Sequence, residues 1–160
     1  MTRIITSLAE VSTNYDALFV DLWGCVHNGV TAIPSAVAAL QAYRKTGGKV
    51  VLVTNSPRPR KGVLKQLVHF GVPDDAYDAV ATSGDSARAA MYSGVVGTQV
   101  WHYGPVTDSR FFDPLEILDN PVEITRVPLD EATGIVCTGP FDSLAAPETW
   151  RADLETALAR

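Results

Sequence analysis

Apolar residues in this chain occur either as short unbroken runs or at helical spacing, and the two patterns alternate. Ala17-Leu18-Phe19-Val20 is apolar throughout, ends at Asp21 and is followed by Gly24, Asn28 and Gly29. Such a run, bounded by turn residues, predicts a strand buried on both faces. Ile33-Pro34 then opens a stretch with Val37, Leu40 and Tyr43 at helical intervals, closed by Gly47-Gly48. Proline at the start and glycine at the stop predict a helix. Val50 to Val53 predicts a second buried strand ending in Thr54-Asn55-Ser56. A helix from about Arg60 to Phe70 comes next, with Val63, Leu64, Leu67 and Phe70 facing inward and Gly71 as its stop. A weaker strand, Ala79 to Ala81, leads into Thr82-Ser83-Gly84.

Strands alternating with helices over short connections predict a doubly wound α/β sheet of parallel strands, because a parallel crossover is usually helical. After Gly84 the rhythm loosens. Helices are expected near Asp85 to Tyr92 and Ser109 to Leu118, and strands near Gln99 to Tyr103, Val122 to Val127 and Gly134 to Thr138. A last amphipathic stretch, Glu148 to Leu158, carries Trp150, Leu154 and Leu158 on one side. It reaches the last residue without a glycine stop, a pattern that fits a natural terminus and also a chain cut inside a larger protein.

Composition narrows the classes. The 160 residues are 46% hydrophobic and 19% charged, the balance of a globular domain. A chain of this size buries roughly 70% of its unfolded surface and needs no disulfide or structural metal. Thirteen basic against eighteen acidic residues give a net charge of −5, which argues against a nucleic-acid or anionic-membrane binder. Nowhere do ~18 apolar residues run together, so no membrane span is expected. Cys25 and Cys137 stand outside any Cys-x-x-Cys spacing and read as two buried free thiols. Arg3 before a short apolar stretch broken by Glu10 fails as a signal peptide. A cytoplasmic location is the expectation.

Ligands of open α/β sheets bind beyond the carboxyl ends of the strands. Three polar groups sit at such ends here: Asp21, Thr54-Asn55-Ser56 and Thr82-Ser83. A carboxylate at the end of a buried strand needs a cleft, a cation or backbone amides to solvate it, though Asp21 is also placed to cap its own loop. Thr54, Asn55 and Ser56 likewise read either as ligand groups or as turn and cap residues before Pro57 and Pro59. Spacing does not separate the readings, but convergence on one sheet edge raises the functional one. Arg58, Arg60, Lys61 and Lys65 crowd positive charge at a helix start, where the macrodipole disfavours it and something anionic would relieve it. A phosphorylated substrate is one candidate, beside a merely solvated basic face. His27, His69 and His102 show no metal-ligand spacing.

Asp21-Leu22-Trp23-Gly24-Cys25-Val26-His27-Asn28-Gly29, then Val51-Leu52-Val53-Thr54-Asn55-Ser56, then Thr82-Ser83-Gly84-Asp85 resemble the haloacid dehalogenase superfamily. Within it the match is to subfamily IIA, the branch of nitrophenyl phosphatase-like and nucleotide or sugar phosphatases, in which a large α/β cap is inserted after the third core strand. The resemblance implies an incomplete Rossmann-like core over 1–86 and the first part of the cap over 87–160. It implies a phosphatase acting on a small phosphorylated metabolite with Mg2+, and in this branch cap-mediated homodimers are common. Asp21 would be the nucleophile and a metal ligand, joined by the backbone carbonyl of Trp23. Thr54 and the amide of Asn55 would hold the phosphoryl oxygens, and Gly24 would let the backbone turn close to the phosphate.

Two departures qualify this. The family usually has a second aspartate, its general acid and base, where Trp23 stands, and indole cannot serve as either. Losing such help typically costs ~10²–10⁴ in rate. The lysine and the acidic Gly-Asp motif that complete the family's site are not found before Arg160. The resemblance therefore reads the chain as the N-terminal portion of a phosphatase-like protein, impaired on its own, with a sheet edge and an apolar face uncovered. A non-catalytic phosphate-binding protein on the same fold is the alternative that Trp23 motivates.

Overall fold

The computed structural model describes residues 4–115, 118–139, 146 and 148–159. The chain divides into two compact units, 1–85 and 86–160.

In the first unit a short helix α1 (Ala9–Ser12) precedes strand β1 (Ala17–Asp21), helix α2 (Pro34–Lys45), strand β2 (Lys49–Thr54), helix α3 (Arg60–Phe70) and strand β3 (Ala79–Thr82). The strands are parallel in the order β1-β2-β3. The order advances in one direction, and right-handed crossovers then put both helices on the same face of the sheet. Val37, Leu40 and Tyr43 of α2 and Val63 and Leu67 of α3 join Val50, Leu52 and Val80 in one core, with Leu18 and Val20 packed against it. Gly71 closes α3 in the left-handed conformation, φ 80°, as its stop position requires.

The opposite face corrects the expectation of strands buried on both sides. Phe19 is 77% exposed and Val53 39%, and Ala17, Ala79 and Ala81 are exposed with them. Their continuous apolar runs carry no alternation to reveal this, and α2 and α3 both lie on the other side.

At the far end of the sheet Asp78 organises the strand starts. Its carboxylate accepts from the Val50 N–H at 2.8 Å and from both Nε and Nη2 of Arg44, and Lys49 Nζ lies 3.3 Å away. The Asp78 N–H returns a bond to the Val50 carbonyl. Tyr43 donates its hydroxyl to the Tyr15 carbonyl at 2.7 Å.

The second unit contains most of helix α4 (Ser83–Tyr92), strands β4 (Gln99–Tyr103), β5 (Thr125–Arg126) and β6 (Gly134–Cys137), and helix α5 (Glu148–Leu158). Its sheet is parallel in the order β5-β4-β6. Met91, Tyr92, Val100, Leu115 and Val136 form its core. The helix expected over 109–118 is instead a 3₁₀ helix, Val106–Phe112, with 116 and 117 outside the described residues. Pro114 forces Asp113 into an extended conformation, ψ 150°. The buried Arg88 guanidinium then draws in the carbonyls of Phe111, Asp113 and Pro114. The strand expected over 122–127 shrinks to two residues. Leu158, expected on the inner side of α5, is 84% exposed. Cys25 and Cys137 are exposed thiols, not buried ones: Cys25 lies in the loop after β1, and Cys137 is exposed at the end of β6.

Candidate functional site

Register decides what meets at the carboxyl edge of the first sheet. Asp21 pairs with Val53, and Thr54 pairs with Thr82 one step further on. Asp21 and Thr54 thus end neighbouring strands about 4.8 Å apart. Alternation assigns Asp21 to the open face, with Phe19 and Val53, and Thr54 to the helix-covered face, with the buried Thr82. The two are brought to one edge from opposite sides of the sheet, and loops carry the chain across it.

The loop after Asp21 is tightly bonded. Asp21 Oδ1 accepts from the Leu22 N–H at 2.8 Å. The Leu22 carbonyl accepts from the N–H groups of Cys25, Val26 and His27, and the His27 carbonyl from the Gly24 N–H. Gly24 adopts φ 78° with open space around its missing Cβ, so backbone conformation and not crowding requires glycine there. Leu22 and Val26 plug the core while Trp23 between them is 70% exposed.

The loop after Thr54 is held from β3 and α4. Thr54 Oγ1 accepts from the Ser56 N–H at 3.2 Å. Ser83 donates its hydroxyl to the carbonyls of Asn55 and Ser56, at 2.8 and 3.0 Å. Thr82 Oγ1 accepts from the Asp85 N–H, the N-cap bond of α4. Asp85 Oδ2 in turn accepts from the Arg60 N–H at the start of α3. The anion that relieves the basic helix start is therefore a side chain of this protein. Thr82 and Ser83 were legible as strand-end polar groups. The supporting parts played by Gly84 and Asp85 were not, although Thr-Ser-Gly-Asp after a strand has the form of a helix N-terminus.

His27 is buried at 8% exposure and packs on Phe70 with ring centroids 4.7 Å apart. Its Nδ1 accepts from the Gly29 N–H at 3.0 Å. Burial pushes its pKa below the ordinary histidine value, and the Asp21 carboxylate opposes that shift. His69 is exposed on α3. His102, in the second unit, lies 3.0 Å from Thr138 Oγ1 and has its pKa lowered chiefly by burial.

The described residues contain no cluster of three His, Cys, Asp or Glu able to hold a metal. The smaller donor set implied for Mg2+ does fit. Asp21 commits Oδ1 to one short bond and is exposed, and no backbone N–H among the described residues donates to the Trp23 carbonyl. Magnesium takes hard oxygen ligands, commonly one or two carboxylates completed by water and substrate phosphate.

The model of haloacid dehalogenase-like hydrolases matches residues 18–116. None of the curated proteins matches. Among solved structures, a haloacid dehalogenase-like hydrolase from Brucella suis 1330 is 39% identical with a TM-score of 0.83, covering 98% of this chain and 55% of its own. Glycerol phosphate phosphatase from Mycobacterium tuberculosis, solved with magnesium, is 21% identical with a TM-score of 0.62, covering 92% and 42%. The 4-nitrophenylphosphatase of Thermotoga maritima is 18% identical with a TM-score of 0.59, covering 94% and 67%. The chain thus spans about half the length of the Brucella structure. With a family model matched over more than half of its residues, from the start of β1 through the 3₁₀ helix, the chain belongs to the haloacid dehalogenase-like hydrolases.

Proposed function

We propose that this chain carries the nucleophile and the phosphate-holding loop of a phosphatase acting on a small phosphorylated metabolite. The observation that supports it is the register that sets Asp21, Thr54 and Thr82 at the carboxyl ends of three adjacent parallel strands. In this reading an Asp21 carboxylate oxygen attacks phosphorus, the bond to the leaving oxygen breaks, and water later hydrolyses the aspartyl-phosphate. Thr54 and the Asn55 amide bind and orient the phosphoryl oxygens, held in place through Ser83. Asp21 and the Trp23 carbonyl would hold Mg2+, which when bound offsets the negative charge of carboxylate and phosphate. A cytoplasmic setting belongs to the same proposal, supported by two exposed cysteines that remain free thiols.

The test is phosphate release from p-nitrophenyl phosphate by the protein expressed at full length, with and without Mg2+, beside Asp21→Asn. We expect turnover only with the metal, and loss of at least about a thousandfold in the variant, as for other removed nucleophiles. Equal turnover by Asp21→Asn removes the assignment. The exposed indole at position 23 favours a second reading, a phosphate-binding protein without turnover. It predicts Mg2+-dependent binding of a phosphate analogue and no phosphorylated Asp21.

A further inference from the structure

Trp23 is a large apolar side chain held in water by a loop with little freedom. Leu22 and Val26 on either side of it are buried. The intervening turn is closed by the N–H groups of Gly24, Val26 and His27, each bonded within the loop, and its exit is tied by Ala32 N–H to the Phe70 carbonyl at 2.7 Å. The indole itself rests on Gly29, where an added Cβ would come within 3.2 Å of Nε1. Gly29 is fixed by its bond to His27 Nδ1, and His27 by Phe70. A chain of contacts from Phe70 at the end of α3, through His27 to Gly29, therefore backs one edge of an exposed ring standing two residues from Asp21. A rigid aromatic surface binds with little loss of conformational freedom.

Indole carries no charge for phosphate and no acidic proton to give an alkoxide. What it offers is a flat, electron-rich face, which stacks on other planar rings. The oxygen of an aromatic alcohol also leaves more readily than an alkoxide, since a phenol titrates near pH ~10 and water near ~16. Both properties of the side chain select the same chemistry.

We propose that Trp23 determines specificity at the Asp21 site, stacking on the ring of a phosphate monoester of an aromatic or heteroaromatic alcohol. This rests on the phosphatase reading above. In the step it serves, an Asp21 oxygen bonds to phosphorus as the bond from phosphorus to the aryl oxygen breaks. The electron pair leaves on that oxygen, which takes its proton from water.

Binding of phenylphosphonate and of methylphosphonate, both non-hydrolysable, measured by calorimetry with Mg2+ on the full-length protein, tests the platform apart from turnover. We expect phenylphosphonate to bind about tenfold more tightly. Trp23→Ala should bring the ratio of the two affinities to about one, and Trp23→Phe should keep most of the preference. Equal affinity for the two probes in the wild type, or a preference that survives in Trp23→Ala, overturns the proposal alone. Failure of both probes to bind overturns it together with the phosphatase reading.

Discussion

Asp85 Oδ2 accepts from the backbone N–H of Arg60 at 2.9 Å, so a residue in the first turn of α4 serves the first turn of α3. Its own N–H is taken by Thr82 Oγ1 at 3.0 Å. One carboxylate thus links the end of β3 to the helix that follows the Thr54 loop, and places negative charge where Arg60 and Lys61 add positive charge to an already positive helix end. Asp85→Ala should cost about 1 kcal/mol, as for a lost cap with a favourable charge at a helix N-terminus. Urea denaturation reads the stability. If the bond organises the loop as well, KM for p-nitrophenyl phosphate should rise in the same variant, more than in Asp85→Asn, which keeps an acceptor.

Gly84 and Gly62 give opposite expectations for the same substitution. A Cβ on Gly84 would sit 2.1 Å from the Pro57 carbonyl oxygen and 2.9 Å from that of Arg58, both backbone atoms that move only with the loop. Gly84→Ala should therefore destabilise by about 1–3 kcal/mol and lower kcat/KM by displacing Asn55. Gly62, in the first turn of α3, meets nothing nearer than Arg58 Cβ at 3.8 Å. Gly62→Ala should stabilise by up to about 1 kcal/mol through helix propensity. Melting temperatures of the two variants should move in opposite directions.

His27 ties loop geometry to pH. Its folded pKa lies below the ordinary 6.5, chiefly through burial, so the unfolded chain binds the proton more readily than the native one. The stability it contributes is complete above 6.5 and is lost as pH falls through the lowered value, because a protonated Nδ1 cannot accept from Gly29. Asp21 pulls in the other direction, so Asp21→Asn should lower the His27 pKa further. An NMR titration of the imidazole in both proteins decides it, and an upward shift in the variant would contradict the contact.

Asp78 acts in a more acidic window. Its carboxyl is lowered from 3.8 to about 2, first by the bond from Val50 N–H and next by Arg44, with Lys49 adding to them against the opposing effect of burial. Its contribution is present above 3.8 and declines as pH falls toward 2. Urea midpoints should therefore drop less steeply over that interval in Asp78→Ala than in the wild type, from a lower starting value at neutral pH.

The parts of this molecule legible in its sequence are those with strong local grammar. Pro34 and Gly71 bound helices as their restricted or permissive backbones require, and Ala17–Val20 and Val50–Val53 have the form of strands, short apolar runs bounded by turn residues. Which face of those strands is covered was not legible, because Phe19 and Val53 are as apolar as Leu18 and Leu52. It follows from the order β1-β2-β3, a long-range property. Asp21, Thr54 and Asn55 stood out because polar residues end apolar runs there. The bonds that hold them, from Ser83 and Asp85, join segments 25 or more residues apart, a separation no local pattern records. The 3₁₀ helix at Val106–Phe112 escaped for a related reason, since carbonyls at its end and just beyond it are claimed by Arg88 more than twenty positions earlier.

Strand β2 reads Lys-Val-Val-Leu-Val-Thr, apolar at four successive positions. Hydrophobic alternation elsewhere penalises a strand that slides by one residue, because its faces exchange. Here Val51 and Val53 would fill the core nearly as well as Val50 and Leu52. The alignment of the sheet is indexed instead at its starting end, by the Asp78 carboxylate and N–H on Val50 and by the Lys49 N–H on the Asp16 carbonyl. Thr54 lies four residues downstream, roughly 13 Å along the strand. Damage to that remote clasp would be felt at the opposite edge as a Thr54 out of step with Asp21, a defect of alignment in which every side chain of the site is intact.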